Sequence, residues 1–430
     1  MANQTSKTLR NQMMYQVFVR NFSEEGTFAQ VQARLDDIKA LGTDIVWLMP
    51  IHPIGKAKRK GTLGSPYAIS DYRAINPEFG TLDDFKSLVA AIHDRDMKCI
   101  IDVVYNHTAP DSVLRNEHPE WFFHKPDGSF GNRVGDWSDI IDLDYSNKEL
   151  WRYQIDTLKM WAEIVDGFRC DVAPLIPIAF WEQARQEVEQ VRPGAIWLSE
   201  SVEPNFILYL RSQGMTALSD SEIYRAFDLS YDYDCYDAFK AVLCGTGSLQ
   251  AYADAVNRQE YTYPDNYVKL RFLENHDQTR ARFFLPDVKL LKNWTAFMFF
   301  QKGMPLVYAG QERGVSHLPS LFDKDTVPWN GAETVDLSDY IAGLAAIKRD
   351  GIFTDSTYQV KAIGDSVLTA THEKNDKKAV GVFPVKDCTA FVPVGLPDGV
   401  YTNLIDDTQI EVFRGGIQCF GKAIILFSNA

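Results

Sequence analysis

"GFRCDVAP", residues 167–174, sets an arginine and an aspartate two positions apart inside an otherwise apolar run. Side chains two apart on a strand share a face, so Arg169 and Asp171 point together. Three readings fit that placement: a structural ion pair, a metal ligand, or a nucleophile with its positioning cation. Which one holds depends on what the neighbouring strands deliver to the same place.

Working outward, short apolar runs alternate with amphipathic helical patterns over the first 350 residues. The runs are "MMYQVFVR" (13–20), "DIVWLMP" (44–50), "KCIIDVVYNH" (98–107), "DGFRCDV" (166–172), "AIWLSE" (195–200), "AFDLSY" (226–231), "VKLRFLEN" (268–275) and "MPLVYAG" (304–310). Helical spacing of apolar residues marks 28–41 and 82–94. Eight strands separated mostly by helices predict an α/β fold, a (β/α)8 TIM barrel. An open doubly wound sheet is the alternative, but no GxGxxG or phosphate loop follows any of these strands. Residues 1–106 and 148–350 are read as the catalytic barrel. Residues 107–147, rich in Pro, Gly and aromatics, form a short insert domain after the third strand. After residue 351 the pattern turns to short alternating strands, predicting a C-terminal antiparallel β domain, a β-sandwich over 351–430.

The 430 residues are 45% hydrophobic and 24% charged, as in an ordinary soluble globular protein. A net charge of −14 argues against nucleic acid as a partner. The basic run "GKAKRKG" (55–61) is read as a solvated loop, with an anion or substrate contact as the alternative. No run reaches the ~18 apolar residues of a membrane span, and the first residues lack an apolar h-region. Six scattered cysteines without CxxC spacing predict a reduced, cytoplasmic protein with neither disulfide framework nor thiolate zinc. Nothing in the sequence sets an oligomeric state, and no organic cofactor is implied.

In a (β/α)8 barrel, functional groups sit at the C-terminal strand ends. Those ends carry Asp102, Asn106 and His107 (third strand), Arg169 and Asp171 (fourth), Glu200 (fifth), and "ENHD", 274–277 (seventh). Taken singly, Arg169–Asp171 reads as an ion pair, and His107 or His276 as satisfied polar groups. Aspartates beside histidines also admit a metal-dependent hydrolase. Their joint arrival at successive strand ends favours glycoside hydrolysis, which needs two carboxylates flanking a bond.

These residues resemble the signatures of the α-amylase family of glycoside hydrolases. "DVVYNH" (102–107), "GFRCD" (167–171), "WLSE" (197–200) and "ENHD" (274–277) correspond to its four motifs, in family order. "SPYAISDY" (65–72), "IDLDYSN" (141–147) and "GMPLVYAGQE" (303–312) support the match. The resemblance implies Asp171 as nucleophile, Glu200 as acid/base and Asp277 as transition-state stabiliser. It implies Arg169 as the group that keeps Asp171 ionised and aimed, and Asp102 as mainly structural. His107 and His276 would bind hydroxyls of one sugar and Tyr67 would stack beneath it. A retaining mechanism would set the carboxyls of Asp171 and Glu200 about 5–5.5 Å apart.

The chain looks most like a small α-amylase, a retaining hydrolase of α-1,4 bonds in maltooligosaccharides or starch fragments. A transglycosylase or glucanotransferase, an α-glucosidase or maltose isomerase, and a non-catalytic amylase-like binding domain are the alternatives. Many α-amylases carry Lys-His three and four residues after the nucleophile, where this chain has Pro174 and Leu175. Asn106 and Asp142 match positions that hold the family's structural calcium. A hydrogen-bonded strand terminus accounts for Asn106 equally well. Trp121, Phe122, Phe123 and Trp137 of the insert are read either as a sugar-stacking platform or as the insert's own core.

Overall fold

The computed structural model describes residues 4–135 and 137–429. Residues 1–3, 136 and 430, assigned above to the barrel, the insert and the terminal domain, lie outside the described residues.

Eight parallel strands close into a barrel: β1 (Met14–Val17), β2 (Ile45–Leu48), β3 (Lys98–Val103), β4 (Gly167–Cys170), β5 (Ile196–Ser199), β6 (Leu229–Tyr231), β7 (Val268–Arg271) and β8 (Met304–Tyr308). They neighbour one another in chain order, and β8 closes on β1. Every barrel-strand residue but Lys98 is buried, since the strands are covered by helices outside and by one another's side chains within. The strands are therefore near-continuous apolar runs, and charges inside them stand out.

The helices follow from apolar spacing and caps. Leu82–His93 starts at a capping box between Thr81 and Asp84 and buries Phe85, Leu88, Val89 and Ile92 on one face. The single helix expected over 28–41 is instead two, Phe28–Gln32 and Leu35–Ala40, interrupted at Arg34. Arg34 leaves helical dihedrals (φ −112°, ψ 11°), and its guanidinium stacks over Trp329 at 4.2 Å. A tertiary contact thus overrides the local period.

The register of β3 and β4 sets Asp102 directly beside Arg169. After β3 the chain leaves the barrel through a two-residue antiparallel ribbon, His107–Thr108 against Ile141–Asp142, from which the insert hangs. Trp121 and Phe122 are buried in its packing, and Phe123 lies under the guanidinium of Arg133.

The C-terminal region is antiparallel. Strands β9 (Thr357–Ile363), β10 (Val367–Lys374), β11 (Lys377–Pro384) and β16 (Ile424–Asn429) form one four-stranded sheet. The ribbons β12 (Ala390–Pro393) with β15 (Gly416–Cys419), and β13 (Gly399–Thr402) with β14 (Gln409–Val412), pack on it through Val367, Val380, Val392, Val412 and Ile417. The helix Val288–Phe300 lies between barrel and sheet, which explains why almost all of its C-terminal half is apolar and buried. Asn293 fixes the junction, donating from Nδ2 to the carbonyls of Pro384 (2.8 Å) and Gly421 (3.0 Å). All six cysteines are unpaired. Among the described residues, no helix is long and apolar enough to cross a membrane.

Candidate active site

The strand ends converge on Arg169, whose side chain is wholly buried. Its Nη1 donates to Asp102 Oδ1 (2.9 Å) and to Asp171 Oδ1 (2.9 Å). Its Nη2 lies 3.0 Å from Glu200 Oε1 as an ion contact without hydrogen-bond alignment. Nε donates to the Tyr231 hydroxyl at 3.2 Å. One guanidinium therefore holds three carboxylates from three strands, with Asp171 and Glu200 on different nitrogens.

Immediately after Asp171, Val172 adopts φ 34°, ψ 43°, a left-handed conformation that is costly for a β-branched residue. This turn aims the Val172 N–H at Glu200 Oε2, 2.7 Å away. Glu200 is thus held at both oxygens, one by the guanidinium and one by backbone.

The second polar layer comes from β1, β2 and β7. Gln16 Nε2 donates to His276 Nδ1 at 2.7 Å, which leaves the ring proton on Nε2. That nitrogen lies 2.6 Å from the Tyr67 hydroxyl and 3.0 Å from Asp277 Oδ2. Tyr67 donates onward to Asp102 Oδ2 at 3.1 Å, and its ring stacks on His276. Burial lowers the His276 pKa to about 4, so the imidazole is neutral at physiological pH. Burial likewise lowers that of His107, whose ring tilts against Trp137.

Burial, with crowding of carboxylates, sets the acid–base character. Burial, reinforced by the charges of Asp171 and Asp277, raises Glu200 well above the ordinary glutamate range, against the pull of Arg169. Asp171 departs from the expectation that Arg169 depresses it. Burial outweighs the guanidinium, which is shared with Asp102, and the pKa is pushed up to about 7. Asp102 is raised to about 7 for the same reason. One cation cannot hold all these carboxylates ionised. When Glu200 carries a proton, Arg169 is left to its two hydrogen-bonded partners, Asp102 and Asp171.

Tyr67, His107, Trp137, Asp171, Glu200, His276 and Asp277 all line one cavity of about 240 Å³ at the barrel mouth. Asp277 is its most accessible carboxylate, with a side chain 36% exposed. Of the insert aromatics named above, Trp137 alone lines this cavity. Gln16, Trp47 and Tyr231, which orient His276 and Arg169, were not singled out in the sequence. They sit within apolar strands and form no motif, and polar residues at inward strand positions would have been the signal.

Asn106 and Asp142 line a second cavity of about 320 Å³ between insert and barrel. Asp142 Oδ2 accepts from the Arg133 backbone at 2.7 Å, while Oδ1 is buried with no protein partner. A free carboxylate oxygen beside an amide suits a hard cation. The Arg133 guanidinium, 3.7 Å from Asp142 Oδ2, reduces the charge available to hold one.

Residues 12–352 match the family described as "Alpha amylase, catalytic domain", and residues 359–426 the "Bacterial Alpha amylase C-terminal domain". A crystal structure of an alpha-amylase from Lactobacillus plantarum is 48% identical, covering 98% of this chain and 100% of that one, with a TM-score of 0.95. A maltogenic alpha-amylase from Thermotoga neapolitana is 34% identical over 98% of this chain and 100% of its own, with a TM-score of 0.87. Among curated relatives, the alpha-amylase MalA of Haloarcula japonica is 27% identical over 79% of this chain and 48% of its own length. An alpha-1,4-glucan:maltose-1-phosphate maltosyltransferase of Rhodospirillum rubrum is 34% identical over 58% of this chain and 36% of its own. The chain spans half or less of the length of these two curated relatives.

Proposed function

The chain belongs to the α-amylase family of glycoside hydrolases, and on that premise we propose that it is a retaining α-glucan hydrolase acting on α-1,4 bonds of maltooligosaccharides or starch fragments. The observation that carries this reading is the clasp of Asp171 and Glu200 on separate nitrogens of Arg169, with Asp277 in the same cavity.

In the first half-reaction Asp171 attacks the anomeric carbon, and a carbon–oxygen bond forms to its carboxylate. Oδ1 is anchored by Arg169, so Oδ2 is the attacking atom. The bond to the leaving oxygen breaks as Glu200 transfers its proton there. The raised pKa of Glu200 supplies that proton near neutrality. In the second half, water attacks the same carbon, Glu200 takes the water's proton, and the bond to Asp171 breaks. Asp277 and the neutral imidazoles of His107 and His276 accept from and donate to hydroxyls of the distorted sugar, and Tyr67 packs beneath it. Asp102 and Tyr231 act through Arg169 by fixing its plane.

Asn106 and Asp142 are proposed to hold a calcium ion that would join the insert to the barrel, with no part in bond cleavage. A cytoplasmic setting is proposed from the scattered, unpaired cysteines.

A second reading, transfer of the glycosyl group to a sugar hydroxyl, is favoured by the wall beyond Glu200. Pro174 and Leu175 stand where many relatives carry Lys-His. Leu175 and Phe206 pack, partly buried, over Val172 and Val202, an apolar patch suited to the face of an acceptor sugar. Resolving products over time from maltose, maltotriose, pullulan and soluble starch tests both. Shorter products alone mean hydrolysis, and products longer than the substrate mean transfer. Full activity in Asp171→Asn would overturn either reading.

A further inference from the structure

The basic run "GKAKRKG" is not a uniformly solvated loop. Lys56 and Lys58 are exposed, while Lys60, its side chain 37% exposed, lines the rim of the cavity of Asp171, Glu200 and Asp277, where its Nζ meets Asp139 Oδ1 at 2.9 Å. Asp139 belongs to the insert after β3, and its side chain is almost fully buried against this lysine. The pair therefore ties the loop after β2 to the insert at the cavity that the reacting carboxylates line.

Further links extend the tie into a wall. Asp111 of the insert accepts from the backbone N–H groups of Lys56 (2.8 Å) and Ala57 (3.1 Å). On the other flank, Asp323 in the loop after β8 accepts from Thr62 N (2.8 Å) and Thr62 Oγ1 (2.7 Å). Leu63 N donates to the Phe322 carbonyl at 2.9 Å. Buried Arg20 spans Gly64 O (2.9 Å) and Leu321 O (3.2 Å). Leu321 and Phe322 line the same cavity as Lys60. Three loops are thus stitched into one rim.

The side of the cleft follows from topology. In the circular strand order β5 lies across the barrel from β1, and the loops after β2 and β8 flank β1. Glu200, at the end of β5, protonates the leaving sugar, so the departing part of the chain lies toward β5. The stitched rim stands opposite, over the sugars on the non-reducing side of the bond being cut. The cavity it bounds has a volume of about 240 Å³.

We infer that Lys60 and Asp139 are a specificity-determining pair that closes the non-reducing end of the cleft, restricting the enzyme to bonds near the chain terminus and to short released units. The inference rests on the hydrolase reading above. The ion pair is its adjustable part, since one side chain spans from a loop to the insert.

The test uses the full chain with maltohexaose labelled at its reducing end, and a cross-linked dyed starch that releases dye only on internal cleavage. Wild type is expected to give labelled fragments shortened by one or two sugars at early times, and little dye. Lys60→Ala and Asp139→Ala are expected to spread the labelled fragments over all lengths. They should raise dye release, relative to kcat/KM on maltotriose, by about fivefold or more. Lys60→Arg, which keeps the pair, should retain the wild-type pattern. Internal cleavage by wild type from the outset overturns the inference, as does an unchanged pattern in both alanine variants at near-native Tm. Wild type inert toward every α-glucan overturns the hydrolase reading and this inference with it.

Discussion

Two buried charge clusters lie in the same barrel, and they are built to opposite rules. Around Arg169, one guanidinium faces Asp102, Asp171 and Glu200, with Asp277 nearby, and the group opens onto a cavity. Around β7, two cations face three carboxylates. Lys269 pairs with Asp220 and Asp234, and Arg271 with Asp232 at 2.8 Å. Gln259 and Tyr263 complete that second set with hydrogen bonds to Asp232 and Asp234.

The difference appears in the acids. Burial raises Asp220 to about 6 despite Lys269, yet Lys269, Tyr263 and Gln259 together bring Asp234 below the ordinary aspartate value. Glu200 and Asp171 stay raised, because one shared cation is not enough. Asp232, Asp234 and Cys235 come within 4.8 Å of one another, but the lysine and arginine already supply their positive charge. Buried charge alone does not mark a site. An excess of one sign beside a cavity does.

That contrast breaks most directly at Asp171. Asp171→Asn is expected to lower kcat/KM on maltotriose by about 10⁴-fold or more, with Tm within a few degrees of wild type. The fold is spared because the change removes one of too many negative charges. A large loss of Tm would mean that the first cluster is structural like the second. Lys269→Met should do the reverse. Leaving Asp220 and Asp234 buried without their cation is expected to cost about 3–5 kcal/mol in denaturant unfolding, while the folded fraction keeps its kcat.

Glu200→Gln should reduce activity on maltotriose by about 10²–10⁴-fold. Much of the loss in kcat/KM, which reports the first half-reaction, should return with an activated substrate whose leaving group needs no proton, while kcat stays low because the attacking water still lacks its base. The sign of the pH dependence is definite. Glu200 must be protonated, so wild-type activity falls as pH rises through its elevated pKa, and it falls on the acid side as Asp171 is protonated near pH 7. In Glu200→Gln with the activated substrate the alkaline limb should vanish and the acid limb remain. Persistence of the alkaline limb would move the acid role to another group.

The smallest expected effect is calcium. With one unpartnered carboxylate oxygen and Arg133 close by, the site should be weak. Calcium about tenfold above its Kd gives about 1.4 kcal/mol, or a rise in Tm of about 1–2 °C. Chelator should reverse it, and Asp142→Asn should abolish it.

Much of this could be read along the chain. Eight strands and the residues at their ends are visible because a fully buried parallel strand is an unbroken apolar run, against which Arg169, Asp171 and Glu200 stand out. The C-terminal strands β9, β10, β11, β12 and β16 are visible by alternation. The ribbon strands β13, β14 and β15 are not, and β13 is largely exposed, so it shows no apolar face. Gln16 is invisible as a partner of His276, and Tyr231 as a partner of Arg169, because neither lies near its partner in sequence.

The sequence by itself determined the barrel, the order of its strands and which carboxylates reach its mouth, because periodicity and strand ends are local properties. Only the tertiary structure decided which acids are crowded, that Asp171 is raised rather than depressed, and that Lys60 meets Asp139 across the cleft. Proton affinities and cleft shape depend on distances between groups far apart in the chain, and those distances exist only after the barrel has closed.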